Sequence, residues 1–110
     1  MNKKLTNTLL LPLLAGAIIG FSSQAKASEA IVKKARCVAC HTVDAKRVGP
    51  AYKDVATKYR GDTSAPAKLF DKVRAGGSGN WGEVPMLAHP ADKISDEDLK
   101  AAIKWILALE

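Results

Sequence analysis

Residues 37–41 read Cys-Val-Ala-Cys-His (CVACH) and contain the only two cysteines in a chain of 110 residues. On a helical turn, side chains at i, i+3 and i+4 share one face. The spacing therefore points Cys37, Cys40 and His41 at a single object. A thioredoxin-like redox site also uses Cys-x-x-Cys, but it expects a βαβ context, and nothing beyond the N-terminal stretch shows a strand-like alternation long enough to trust, so no strands are expected. A zinc site needs a fourth ligand, and the other histidine, His89, is far along the chain between Ala88 and Pro90. A disulfide between Cys37 and Cys40 closes too short a loop to stabilise much.

The chain opens MNKKLTNTLLLPLLAGAIIGFSSQAKASEA, with Lys3 and Lys4 ahead of an apolar run from Leu9 to Phe21. This has the form of a secretory signal peptide. The run holds Pro12, Gly16 and Gly20 and is shorter than the roughly 20 residues of a spanning helix. Ala25-Lys26-Ala27 is the small-x-small pattern of a cleavage site, which divides the chain into a leader, residues 1–27, and one domain, residues 28–110. The mature protein is then expected in an oxidising compartment, with no stable membrane insertion.

A domain near 80 residues rarely stabilises itself on apolar burial alone. Beyond the leader the aromatic residues are Tyr52, Tyr59, Phe70, Trp81 and Trp105, thin material for a core without a crosslink or cofactor. Three of the 17 basic residues belong to the leader, leaving 14 against 11 acidic residues, a balance of +3. With no arginine-rich run and no basic residues interleaved with aromatic ones, a nucleic-acid binder is not indicated. The lysines suit a solvated surface. Alternatively, Lys33, Lys34, Lys46, Arg47 and Lys53 form a docking rim beside the cysteines for an acidic partner.

Four stretches carry helical patterns, and the expected fold class is all-α. The first runs from Ser28, as its cap, through SEAIVKKARCVACH. The second starts at Gly49-Pro50, places Tyr52, Val55, Ala56 and Tyr59 on one side, and ends at Gly61. The third follows Ser64-Ala65-Pro66, turns Leu69, Phe70 and Val73 inward, and stops at Gly76-Gly77. The last begins at Ser95, with a capping arrangement to Asp98, and repeats Leu99, Ala102, Ile103, Ile106 and Leu107 at helical spacing. Between the last two lies a glycine-rich stretch, residues 76–94, expected as a long loop. Loops of that length in small domains are usually functional, and this one holds Trp81, Met86 and His89.

Cys-x-x-Cys-His is also the attachment motif of covalent haem. The thiols add to the haem vinyl groups and the histidine binds iron, so this reading uses all three residues together. The macrocycle also supplies the apolar mass that the core lacks. On the opposite iron face Met86 is the candidate ligand, since Pro85 biases Val84 toward an extended backbone laid across the haem. A thioether raises the reduction potential. His89 is the rival ligand, and as a residue before proline it is also expected in an exposed position.

The stretches CVACHTVDAKRVGPAYKDVATKY, GGSGNWGEVPM and SDEDLKAAIKWILALE, in that order, closely resemble the short monohaem class I cytochromes c of bacteria, the cytochrome c-551/c-552 group. The resemblance spans nearly all of residues 28–110. It implies about four short helices around one covalent haem c, with Cys37 and Cys40 as thioether sites and His41 and Met86 as iron ligands. It further implies that the Pro50 carbonyl receives the His41 imidazole N–H, and that Trp81 hydrogen-bonds a haem propionate with Arg47 nearby. Such proteins are not enzymes. They are monomers that shuttle single electrons in the periplasm between a membrane oxidoreductase complex and a terminal oxidase or nitrite reductase. The chain departs from the group after Met86, where Leu87-Ala88-His89-Pro90 stand in place of Pro-Pro-Asn, and at Asn80, where an apolar residue is commoner. A gas-binding haem sensor and a thiol-disulfide enzyme using Cys37 are the readings from other classes.

Overall fold

The computed structural model describes residues 21–110; of the leader reading, residues 1–20 lie outside the described residues. The first helix, α1, spans Phe21–Lys34. Ser28 is therefore not its cap but an interior, buried residue. The reason is local: Gln24-Ala25-Lys26-Ala27 contains no helix breaker, so the helix continues upstream whenever these residues are attached.

The helix also ends earlier than the pattern predicts. Arg36 takes a left-handed conformation at φ 64°, and Cys37–Ala39 form a separate single 3-10 turn. Left-handed backbone is unfavourable for a residue with a Cβ, and here it turns the chain out of α1 just ahead of the cysteines. The turn itself closes tightly, since the Cys37 carbonyl accepts from Cys40 N at 3.1 Å and from His41 N at 2.9 Å.

Helix α2 spans Tyr52–Lys58, so Pro50 precedes it instead of opening it. Helix α3 spans Ala65–Ala75, with Pro66 in its first turn and Gly76 at its C-terminus. Asp62 fastens its start, accepting hydrogen bonds from Ser64 N at 2.9 Å and from Lys68 Nζ at 3.0 Å. Helix α4 spans Asp96–Leu107 and carries the expected cap, with Asp98 N donating to Ser95 Oγ at 3.1 Å.

The segment expected as an irregular loop instead contains an antiparallel hairpin, β1 at Gly77–Gly79 and β2 at Gly82–Met86, which pairs Gly77 with Met86 and Gly79 with Gly82. Period-two alternation does not reveal it, because β1 has one side chain heavier than hydrogen and β2 is exposed up to its last residue. Gly79 and Gly82, both at positive φ, bracket the Asn80-Trp81 turn, a geometry that favours glycine.

Helix α4 is the packing element. Leu99 and Ile103 join Ala35 and Ile94 in one buried cluster, against which Leu69, Phe70 and Val73 of α3 rest. Ala102 joins Val32 and Tyr52 in a second, flanked by Trp105 and Ile106. The inward faces expected of α3 and α4 are thus observed, and α4 links α1, α2 and α3. No large side chain among the described residues is fully enclosed.

Two stability effects follow. Ser95→Ala removes the α4 cap and is expected to lower unfolding free energy by about 1 kcal/mol, read by denaturant titration. The hydrogen bonds from Ser64 and Lys68 hold the Asp62 carboxyl down at about 2. A depressed carboxyl pKa contributes stability above the unfolded-state value and loses it as pH falls through the folded one. Wild-type protein should therefore lose stability between about pH 4 and pH 2 more steeply than Asp62→Ala, in acid titrations followed by circular dichroism.

Candidate haem site

His41 is constrained from several sides. Its Nδ1–H donates to the Pro50 carbonyl at 2.7 Å, which leaves Nε2 as the nitrogen with a free lone pair. The Tyr52 ring stacks on the imidazole, with centroids 5.3 Å apart and planes inclined by 18°, and Trp105 meets Tyr52 edge-on at 5.8 Å. Gly49 lies against the same ring. A Cβ there would stand 2.4 Å from His41 Cε1, so no larger residue fits without moving the imidazole.

The chain between motif and α2 closes on itself to build this arrangement. Gly49 N donates to the Cys40 carbonyl at 2.8 Å, and Tyr52 N to the Thr42 carbonyl at 2.9 Å. Arg47 donates from its guanidinium to the Val38 carbonyl at 3.3 Å and ties the far end of the loop to the motif.

Cys37 and Cys40 are free thiols, each half-buried. Burial pushes the Cys37 thiol above its usual range, outweighing the hydrogen bonds that pull the other way. Reactive redox cysteines have the opposite character, a lowered pKa that supplies thiolate near neutral pH. Burial likewise raises the Tyr52 hydroxyl, with the neighbouring Cys37 adding to the effect. Among the described residues, no group of three His, Cys, Asp or Glu side chains is arranged to hold a metal ion, so the zinc reading finds no fourth ligand and no cage.

Met86 closes β2 opposite Gly77 and is half-buried. The end of α3 approaches it from behind: a Cβ on Gly76 would meet the Met86 carbonyl at 2.6 Å and Ala88 N at 2.7 Å, and Gly76 has φ 67°. His89 is not the exposed loop residue expected. It is half-buried, its Nδ1 is enclosed without a partner, and its backbone N donates to the Val73 carbonyl at 2.9 Å. Trp81 remains 43% exposed at the hairpin turn. Lys58 of α2 lies over its ring at 4.5 Å and donates to the Asn80 carbonyl at 2.7 Å, which joins hairpin to helix.

Gly49, Tyr52, Gly76 and Arg74, whose guanidinium donates to the His89 and Ile94 carbonyls at 2.9 and 2.8 Å, also belong to this architecture, although helical patterning marks the first three only as a helix start, an inward face and a helix stop. Gly49 next to Pro50 reads as a helix start, and Arg74 as a cation complementing the α3 dipole. Neither pattern signals a contact made across the fold.

The donor set and its surroundings fit a covalent haem. Two unpaired thiols and an oriented imidazole come from one turn. The exposed large apolar residues Val38, Val48, Trp81, Val84 and Leu87 all lie in the segments that carry the motif, Gly49-Pro50 and Met86. Exposed apolar side chains in these segments are what a bound macrocycle would cover.

Comparison with known proteins agrees. Residues 25–110 match the family model for cytochrome c. The chain is 53% identical over 79 residues to cytochrome c-551 of Allochromatium vinosum, covering 72% of this chain and 82% of that protein. It is 42% identical over 100 residues to cytochrome c-551 of Pseudomonas aeruginosa, covering 90% and 93%. Its fold superposes on the crystal structure of cytochrome c552 of Nitrosomonas europaea with a TM-score of 0.68 at 45% identity, covering 74% of this chain and 99% of that one. The chain belongs to the cytochrome c family, as a haem c protein that carries electrons and is not an enzyme.

Proposed function

We propose that this cytochrome is a periplasmic single-electron shuttle with His41 and Met86 as iron ligands and Cys37 and Cys40 as its two thioether sites. The observation that carries the reading is the His41 Nδ1–H···Pro50 bond. It fixes the tautomer and the ring plane and makes Nε2 the more basic donor, as outer hydrogen bonds do for ligating imidazoles. Cys37 and Cys40, both free thiols, would hold the haem through thioether bonds to its vinyl groups. The bound haem supplies the one-electron couple.

The chain's own residues hold the ligands still and exclude water. Gly49 and Tyr52 hold His41 from its flanks, while β1 and Gly76 back the strand end that bears Met86. Trp81 and Arg47 are assigned to the propionate side, Trp81 through its indole N–H and Arg47 as a stabilising charge. Cleavage after Ala27 leaves Ser28 to begin α1 in the exported protein. Among the described residues no helix is long and apolar enough to cross a membrane.

The partners are other redox proteins: a membrane cytochrome complex as donor and a terminal oxidase or nitrite reductase as acceptor, met by a monomer. Lys33, Lys34, Lys46 and Arg47 supply a basic rim for brief docking. Lys53, also assigned to that rim, pairs with Asp44 at 2.8 Å and contributes less net charge.

Met86→Ala is expected to open the iron, lower the reduction potential sharply and admit carbon monoxide to the reduced protein. Redox titration and visible spectra check this, and an unchanged potential would identify another group as the ligand. Gly49→Ala must displace the His41 ring or the 42–51 loop. It should cost about 1–3 kcal/mol of stability, as overpacking does, and lower the yield of holoprotein with normal low-spin bands. A variant with wild-type yield and spectrum would show that the loop yields freely.

A further inference from the structure

Beyond Met86 the chain runs nine residues without regular structure before α4 starts at Asp96. Three hydrogen bonds tie this segment to the end of α3. Val73 contributes one, accepting from His89 N at 2.9 Å. Arg74 contributes two, donating from Nη1 to the His89 carbonyl at 2.9 Å and to the Ile94 carbonyl at 2.8 Å. Its other terminal nitrogen, Nη2, is paired with the Asp96 carboxylate in the first turn of α4.

The Arg74 side chain is only 19% exposed, so these bonds form largely away from water, and its guanidinium carbon lies over the Phe70 ring, 5.0 Å from the centroid. Both backbone groups of His89 are thus held by two consecutive α3 residues. Two residues further on, Gly76 brings the α3 terminus against the backbone between Met86 and Ala88.

We infer that Arg74 is a positioning residue for the Met86 thioether, clamping the segment that follows it so that the sulfur stays on the iron. The inference rests on the reading of Met86 as ligand. Met86 is held by strand pairing on its N-terminal side, but Leu87 and Ala88 are exposed and supply no comparable anchor. The nearest side-chain tie downstream is the guanidinium. A lysine cannot reproduce it, because an ammonium lacks the planar fork that serves two carbonyls and a carboxylate in fixed directions.

The test uses holoprotein of wild type, Arg74→Gln, Arg74→Lys and Asp96→Asn. Three readouts are compared: the weak red absorption band of the iron(III)–thioether bond, the ring-current-shifted methionine methyl resonance of the iron(II) state, and carbon monoxide binding, alongside the thermal midpoint. Arg74→Gln is expected to raise the methionine-dissociated population about tenfold or more, with band loss and faster carbon monoxide binding, because buried carbonyls lose a charged donor. Arg74→Lys should fall between, and Asp96→Asn, which leaves the carbonyl bonds intact, should keep the band. If both Arg74 variants melt earlier yet retain the full band and the wild-type gas response, the residue is a structural tie only and the inference is overturned. Absence of the band and methyl signal from wild type would instead remove the Met86 reading itself. If Arg74→Gln fails to mature, Arg74→Lys decides between these outcomes.

Discussion

The hydrogen bond from His41 Nδ1 to the Pro50 carbonyl is the constraint from which most of the local structure can be derived. To present that carbonyl the chain must return to the motif within nine residues. The return is closed by Gly49 N on the Cys40 carbonyl and by Tyr52 N on the Thr42 carbonyl. A return so tight brings backbone against the imidazole, and only glycine is small enough at position 49. The same closure sets the start of α2, which begins at Tyr52 with its ring already stacked on His41. Trp105 of α4 then supports Tyr52 edge-on, so the helix that organises the core also stiffens the histidine.

The Met86 side is built by different means. The contacts made directly to His41 lie within residues 37–52, whereas the segment that follows Met86 also depends on α3 and α4, through pairs 15 to 22 residues apart. The hairpin places Met86 opposite Gly77, the α3 terminus backs it through Gly76, and Arg74 ties the following segment to α4 through Ile94 and Asp96. Helix α3 is in turn held by Leu69, Phe70 and Val73 against Ile94, Leu99 and Ile103. The position of one side chain is therefore referred back, through three elements, to the apolar core.

This asymmetry explains what could be read from the sequence. CVACH is a local motif with its chemistry written in consecutive residues, and α3 and α4 show helical periodicity and their caps. Met86 stands out as a candidate because it is the sole methionine outside the leader and lies in the glycine-rich stretch. The hairpin was not legible, since strands made of glycine and exposed residues carry no alternating apolar pattern. Nor was the break at Arg36, where a continuous helix pattern runs straight through a left-handed residue. The contacts of Gly49, Gly76 and Arg74 were not legible for a common reason: each is defined by a close approach or a bond to a residue elsewhere. Ser28 lies inside α1 with the upstream residues attached, so its place in the helix depends on residues beyond its own local pattern.

The two sides also differ in how they come undone. Local contacts reform as soon as the turn does, while contacts between distant elements are lost together when a segment opens, so sub-global opening starts where anchors are few and sequence separation is large. In this fold the segment from Leu87 to Ser95 has neither strand nor helix and is tied to α3 by three hydrogen bonds. An electron carrier needs the same ligands on both sides of its redox cycle, with little movement between them, which is a demand for preorganisation of the ligand shell. A gas sensor needs the reverse, a distal ligand that leaves. On the reading of Met86 as ligand, the difference between the two behaviours is a difference in the free energy of opening one nine-residue segment. His41 can be held equally well in both, and the distinction rests on how firmly α3 and α4 grip the chain beyond Met86.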